Sequence, residues 1–455
     1  MTPPSLDPSS RRPSRVAWFT PMPPSSSGIA AYSAEILPAL RARGLQLDVY
    51  VDPEQGADPT EGQAGAQDFV WRHRRRPYDL VIYQMGNAAC HGYMWGYLFR
   101  YPGLVVLHDA QVHQARAQAL LGRWEPRRDD YLAEFAANHP AAPPDAARLV
   151  AEGLGGRLFG LWPHVRLLLQ AARLCAVHSA ALAASLEDAH GVPVRAVPMG
   201  VRDPRLDAGP LTAAAVRARH GLGPEHLVIG AVGGLTPEKR LPELLAAVAA
   251  LAPHHPELHV LLVGTPALHY DVAADAATRG LADRVHFTGF VPDADLPAHL
   301  DAVDLCACLR WPTNRETSAS WLRAVAAGRP TIVTDLAHQP ELPVVDPRDW
   351  QSPSPRPIAV AVPILEEGTG LLAAIAGLAR SPARRARIGA AARDYWRAHH
   401  TIDHMADAYV ELIAEAATRP IPQPALPAHL ADSGEAQLGA LLAPFGLAVP
   451  GAVAG

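Results

Sequence analysis

Lysine is all but missing from this chain. Of its 40 basic residues one is a lysine, Lys239, and the other 39 are arginine. Arginine serves wherever a solvated cation suffices, so the one position that keeps a compact, flexible ammonium calls for a reason. Other scarcities set the outer bounds. Four cysteines in 455 residues (Cys90, Cys175, Cys306 and Cys308) make no disulfide framework. Three of them fall in or beside apolar runs, where cysteine acts as a small hydrophobe, and a reduced cytosolic compartment fits best. The stretch 438–455 carries no charge, but prolines and glycines break it too often for a membrane-spanning helix, and it reads as a loosely packed tail. A basic excess is absent as well: the formal net charge is −5, which excludes a general attraction to nucleic acid. Residues 1–14 are rich in Pro and Ser, lack an apolar signal-peptide core and read as a disordered leader.

What is there is alternation. Short apolar runs at 15–20, 45–51, 78–85, 104–108 and 174–178 read as strands separated by helical stretches. A polar, Pro-containing segment to residue 210 reads as a linker. The alternation then restarts, with strands expected at 226–232, 259–263, 285–288, 304–309 and 331–334. Apolar strands interleaved with helices make parallel sheets covered on both faces. The expected fold class is therefore α/β, with two doubly wound Rossmann-like domains facing across a cleft. The boundaries are 15–203 for the first domain, 211–385 for the second, 386–418 for closing helices and 419–455 for a tail. Ligands in such sheets bind beyond the carboxyl ends of the strands.

Several loops at those ends carry usable chemistry. Pro21–Gly28 joins the first strand to its helix with small residues, so that backbone amides could approach an anion. It is neither a dinucleotide fingerprint nor a P-loop. His108 closes a strand, with Asp109 next to it and His113 beyond. His400 and His404 are four apart, but no third metal ligand accompanies them. The segment Tyr83-Gln-Met-Gly86-Asn87-Ala-Ala-Cys-His91 also follows a strand; Asn87 and His91 suit sugar hydroxyls, and a core hydrogen-bonding role suits them equally. Trp71-Arg-His-Arg-Arg-Arg76 is expected as a solvated loop, with contact to phosphates or an anionic membrane surface as the alternative. In the second series, Gly233-Gly234-Leu-Thr-Pro-Glu-Lys239 places the lysine at a helix start, in reach of a diphosphate. The densest set runs from Leu309 and Arg310 through Arg315-Glu316-Thr317-Ser318 to Gly328-Arg-Pro330. There Thr317 or Ser318 is expected to cap the helix.

Taken together, the Pro-Glu-Lys239 turn, the Val-Gly264 turn, Phe287-Thr-Gly289-Phe-Val291 and the Glu316-to-Pro330 block resemble the retaining GT-B glycosyltransferases of family 4 type (glycosyl transferases group 1). The resemblance covers roughly residues 15–418. It implies a hexosyltransferase-type enzyme without cofactor or metal, whose donor is a nucleoside-diphosphate sugar. It also implies a C-terminal helix that crosses back to the first domain. By the same resemblance Lys239 contacts the donor diphosphate, Glu316 the sugar hydroxyls, Phe290 and Val291 hold the base, and Gly28 lies over the diphosphate. His108 lines the sugar pocket. The donor set is then Gly28, Gly234, Lys239, Arg240, Phe290, Val291, Arg310, Glu316, Thr317 and Ser318. Lys239, Glu316 and His108 are expected at the reacting centre, and Asn87, His91 and His108 at the acceptor, whose identity is open. Two positions depart from the pattern. The arginine usual five residues before the lysine is Gly234, with Arg240, Arg310 or Arg315 as substitutes. The second of the usual paired glutamates, which normally binds ribose, is Arg323, and Glu316 sits one residue later than the usual first. Competing readings are a nucleotide-sugar epimerase or hydrolase and a non-catalytic, catalytically impaired sugar-nucleotide-binding protein. The expected setting is cytoplasmic, with peripheral membrane contact left open.

Overall fold

The computed structural model describes residues 14–447 apart from 26, 54–58, 61, 123–125, 207–208, 337–339 and 433. The expected leader, but for Ser14, and the last eight residues of the tail lie outside the described residues.

Apolar runs become strands buried on both faces. In the first sheet these are β1 (Arg15–Phe19), β2 (Gln46–Val51), β3 (Gln63–Gly65), β4 (Leu80–Met85), β5 (Leu104–Leu107), β6 (Leu174–Val177) and β7 (Val194–Ala196). They pair in parallel in the order β3-β2-β1-β4-β5-β6-β7. The second sheet holds β8 (Leu227–Val232), β9 (Leu258–Val263), β10 (Val285–Gly289), β11 (Leu305–Cys308), β12 (Thr331–Thr334), β13 (Val344–Val345) and β14 (Ala359–Val362). Its order is β10-β9-β8-β11-β12-β14-β13, again all parallel. In both sheets the strand order reverses beside the first strand of the unit, which opens a crevice at the carboxyl ends there. The two doubly wound units read from the sequence are thus present.

Serine and threonine set several helix starts by accepting the otherwise unpaired amides of the first turn. Ser27 caps helix Gly28–Ala42, Ser318 caps Ala319–Ala326 and Thr401 caps Ile402–Thr418. Ser318, not Thr317, is therefore the cap in the dense block.

The closing helices Pro382–His399 and Ile402–Thr418 tie the units together. Trp396 donates its indole N–H to the Val201 carbonyl at 3.2 Å, and Arg393 pairs with Asp203 at 2.5 Å. Helix Ile402–Thr418 lies against helix Gly28–Ala42 of the first unit. There the Tyr409 and Tyr32 hydroxyls meet at 2.7 Å and the Tyr409 ring packs on Trp18 with centroids 5.4 Å apart. The chain does cross back.

Two local expectations change. The basic cluster after Phe69 is helix Phe69–Arg75 rather than a loop, because Phe69 is fully buried against Phe19 and anchors one face. Its Trp71 stays half exposed, with the Arg75 guanidinium 5.5 Å from the ring. The tail is partly structured. Helix Ala428–Ala431 inserts His429 against Glu134 at 2.7 Å, and Arg100 donates to the Ala431 carbonyl.

Candidate active site

The loop that follows β1 faces those that follow β8, β9 and β10 across an open cleft. One wall carries Pro23, Ser27 and Gly28; the other carries Gly233, Gly234, Thr265, Phe290 and Val291. The first wall offers the amino end of helix Gly28–Ala42. Its dipole favours an anion.

The glycines of the second wall are there for space. Gly233 has φ +99, and a Cβ on it would stand 2.5 Å from the Lys239 ammonium. Gly264 has φ +143, and a Cβ there would collide with the Gly233 carbonyl. The two turns therefore close on each other, locked by hydrogen bonds from the Gly233 amide to Val263 and from the Leu235 amide to Thr265. Lys239 sits behind them. It is not in a helix proper but ends a short 3-10 turn, Pro237–Lys239, and the helix begins at Leu241.

The ammonium of Lys239 donates to the Val232 carbonyl and opens onto a small pocket shared with Arg310, Glu316, Ser318, Ser320 and Thr334. Loss of water lowers its pKa from 10.5 to about 8, helped by the nearby Arg310 cation and opposed by Glu316. Glu316 takes the Arg310 guanidinium at 2.7 Å, the Asn314 amide at 2.8 Å and the Thr313 hydroxyl at 2.9 Å. That loop is pinned across the cleft, since the Ala110 amide donates to the Asn314 carbonyl at 2.9 Å. Lys239, Arg310, Glu316, Thr317 and Ser318 thus gather at one place, on the carboxyl side of β8 and β11.

Arg240 does not join them. Its backbone is left-handed (φ +54), and its guanidinium is spent on Glu367, with Nε at 2.9 Å, and on Glu243 at 2.7 Å. Of the candidate substitutes for the missing arginine, Arg310 lies beside the lysine, while Arg315, also left-handed, is exposed. Gly234 lines the cleft with nothing but its backbone.

On the facing side the predicted residues are largely used up by the fold. His108 is nearly buried and its ring nitrogens meet the Gln84 side chain at 2.8 Å and His178 at 3.2 Å. Burial, with His178 adding to it, holds its pKa well below the ordinary value. His91 is 2% exposed and reaches the Gln84 carbonyl through Nδ1 at 2.9 Å. The Asn87 side-chain oxygen accepts from the Ala115 amide at 2.9 Å and so fixes the helix that begins at His113. For Asn87 the core role is what the geometry displays.

Sequence reasoning passed over Asp109. Its carboxylate accepts from the Asn87 amide at 2.7 Å. Burial raises its pKa to about 6 against that hydrogen bond, with Glu316 adding repulsion. A carboxyl at the end of β5, next to His108, is the signal that could have found it. His400 and His404 point apart, onto the Met199 carbonyl and the Thr401 hydroxyl. Among the described residues no group of three or more His, Cys, Asp or Glu is placed to hold a metal, and no helix is long and apolar enough to cross a membrane.

Residues 226–352 match the model of the glycosyl transferases group 1 family. The match lies within the second unit. A 2-deoxystreptamine glucosyltransferase from Streptomyces kanamyceticus is 36% identical over 150 residues, which is 33% of this chain and 38% of that protein. The match therefore spans well under half of that relative's length. The two units together have the GT-B fold. The chain superposes on sucrose-phosphate synthase from Thermosynechococcus elongatus with a TM-score of 0.60 at 18% identity, covering 88% of this chain and 98% of that one. The glycosyltransferase WaaG, involved in lipopolysaccharide biosynthesis, gives 0.58 at 14% identity over 88% and 99%. Anabaena HepE, in complex with UDP and glucose, gives 0.56 at 16% identity over 88% and 99%.

Proposed function

We propose that this protein is a retaining glycosyltransferase that moves a sugar from a nucleoside-diphosphate donor to an acceptor hydroxyl, without a metal. The observation that carries the reading is Lys239. Its ammonium is desolvated behind two interlocked glycine turns, at the mouth of a pocket bordered by the amino end of helix Ala319–Ala326. A dianionic leaving group in the cleft would meet that charge, the free amides after Ser318 and the amino end of helix Gly28–Ala42. These are fixed donors that need no reorganisation as charge develops. The complex of a similar fold with UDP and glucose supports a nucleotide-sugar donor.

In this reading Glu316, fixed by Arg310 and the Asn314 amide, takes the sugar hydroxyls. Phe290, three-quarters exposed, and Val291 take the base. The departing phosphate accepts the acceptor proton in a front-face step, which needs no protein nucleophile. Arg240, bound to Glu367 and Glu243, is given no part. The acceptor enters from the first unit. The glycan, glycolipid or small molecule that fills this place is set by that wall. The protein acts in the cytoplasm, where nucleotide sugars are available.

A thermal-shift panel of nucleoside diphosphates and their sugars tests this, because a ligand that binds the folded state raises its apparent stability. At least one diphosphate should raise the transition, and Lys239→Ala should abolish most of that rise. A panel with no response would refute the reading.

A further inference from the structure

Beyond Lys239 and Glu316, the cleft contains one ion pair made from both units. Arg323 lines the main cleft together with Phe290, Val291 and Asp293. Its guanidinium meets Glu35, on helix Gly28–Ala42 of the other unit, at 2.5 Å, and Asp293 at 3.5 Å. Glu35 lines a second cavity that shares Pro23, Ala31, Asp293, Leu296 and Arg323 with the first. The pair therefore stands where the two cavities join.

We propose that Glu35, positioned by Arg323, binds the ribose hydroxyls of the nucleotide, so that recognition of the donor's sugar ring comes from the first unit. This rests on the nucleotide-sugar reading above. Three observations carry it.

The first is reach. Gly28 opens the helix whose amino end faces the anion site, and Glu35 lies seven residues further, about 10 Å along the axis. That is on the order of the span from a diphosphate to the ribose diol of an extended nucleotide. The second is capacity. A carboxylate offers about four lone-pair positions. Arg323 takes one side of Glu35, and the Arg202 amide stands 3.4 Å from its other oxygen, so room is left for hydroxyl donors. The small Ala31, one turn before Glu35, keeps the approach from the cleft open. The third is order. The Glu35 side chain is 15% exposed and held from the opposite unit, whereas Asp293, the other carboxylate at hand, is 71% exposed. A held carboxylate costs less to engage than a free one. Arg323 is a positioning residue in this arrangement, and the position where the resemblance leads one to expect a carboxylate is served by its partner across the cleft.

The test compares UDP, GDP and ADP with their 2′-deoxy and 3′-deoxy counterparts by calorimetry, on wild type and on three variants. The wild type should prefer the intact ribose by about tenfold or more, the usual worth of a hydrogen bond to a charged acceptor. Glu35→Gln should reduce that ratio to about twofold or less while inorganic pyrophosphate still binds as in wild type. Arg323→Gln should reduce the ratio in the same direction, because Glu35 loses its hold. Reversing the pair, Glu35→Arg with Arg323→Glu, returns a carboxylate to the junction of the cavities and should restore the preference. It also keeps the test open should a single variant fold poorly. A ratio unchanged in Glu35→Gln, or absent in the reversed pair, overturns the proposal while leaving the nucleotide reading intact. No binding of any of these diphosphates to wild type removes both.

Discussion

Replacing Lys239 by methionine should make the protein more stable as it removes its chemistry. The ammonium has lost its water, and its pKa falls from 10.5 to about 8. A fall of that size corresponds to about 3 kcal/mol of unfavourable charge burial at neutral pH. Methionine has a similar length, carries no charge and loses the hydrogen bond to the Val232 carbonyl, worth about 1 kcal/mol. The net expectation is a gain of about 2 kcal/mol in the ligand-free protein at pH 7. The sign with pH follows from linkage. The unfolded chain holds its proton up to 10.5 and the folded chain only to about 8. The penalty is therefore full below pH 8, shrinks as pH rises and is gone above 10.5. Urea unfolding of wild type and Lys239→Met at pH 7 and pH 10 measures this directly. The variant should be the more stable at pH 7, and the gap should narrow at pH 10. Turnover should fall on the order of 10²-fold or more, the usual loss for a group that stabilises a leaving charge. A variant less stable than wild type at pH 7 would refute the claim that the lysine is held at a cost for function.

Other outcomes follow from the same structure. Donor affinity should be flat below pH 8 and weaken above it, by up to about tenfold per pH unit, as Lys239 loses its proton; titrations at pH 7 and pH 9 check this. His91 and His178 are buried with pKa values lowered to about 4, so their neutral forms are part of the native state. Stability should fall as pH drops from 6.5 toward 4, by about 2 kcal/mol for each at pH 5, which urea midpoints at pH 7 and pH 5 will show. Arg116→Ala should cost about 3–5 kcal/mol, because it takes the guanidinium from a fully buried Glu134 carboxylate; chemical denaturation measures it. Tyr409→Phe should cost about 1–2 kcal/mol through the lost contact with Tyr32, seen as a lower unfolding midpoint.

Much of the frame was legible because strands buried on both faces must read as apolar runs. All ten strands expected from such runs are present within two residues of the expected limits. Of the four that were missed, β3, β7 and β13 are two or three residues long, too short for a period to show, whereas β14 is as long as strands that were found. The helices between β5 and β6 were expected only as a helical stretch without limits, for another reason. Their inward positions include His113, Arg116, Glu134 and Asn138, whose pairing a hydropathy pattern does not reveal. In the site, Lys239 stood out by composition and Glu316 by its place before a capped helix. Arg240 was misplaced because its partner Glu367 is 127 positions away. Asn87 and His91 belong to turns whose hydrogen bonds only the folded backbone supplies. The pairing of Arg323 with Glu35 joins two units and is invisible to any local pattern.

The central claim is that the cleft transfers sugar from a nucleoside diphosphate by means of Lys239. Release of nucleoside diphosphate from UDP-, GDP- and ADP-sugars, followed with and without a panel of hydroxyl acceptors, tests it most directly. The account predicts release from at least one donor that an acceptor accelerates and that Lys239→Ala reduces on the order of 10²-fold or more. Acceptor-dependent release of the same rate in wild type and Lys239→Ala would contradict it.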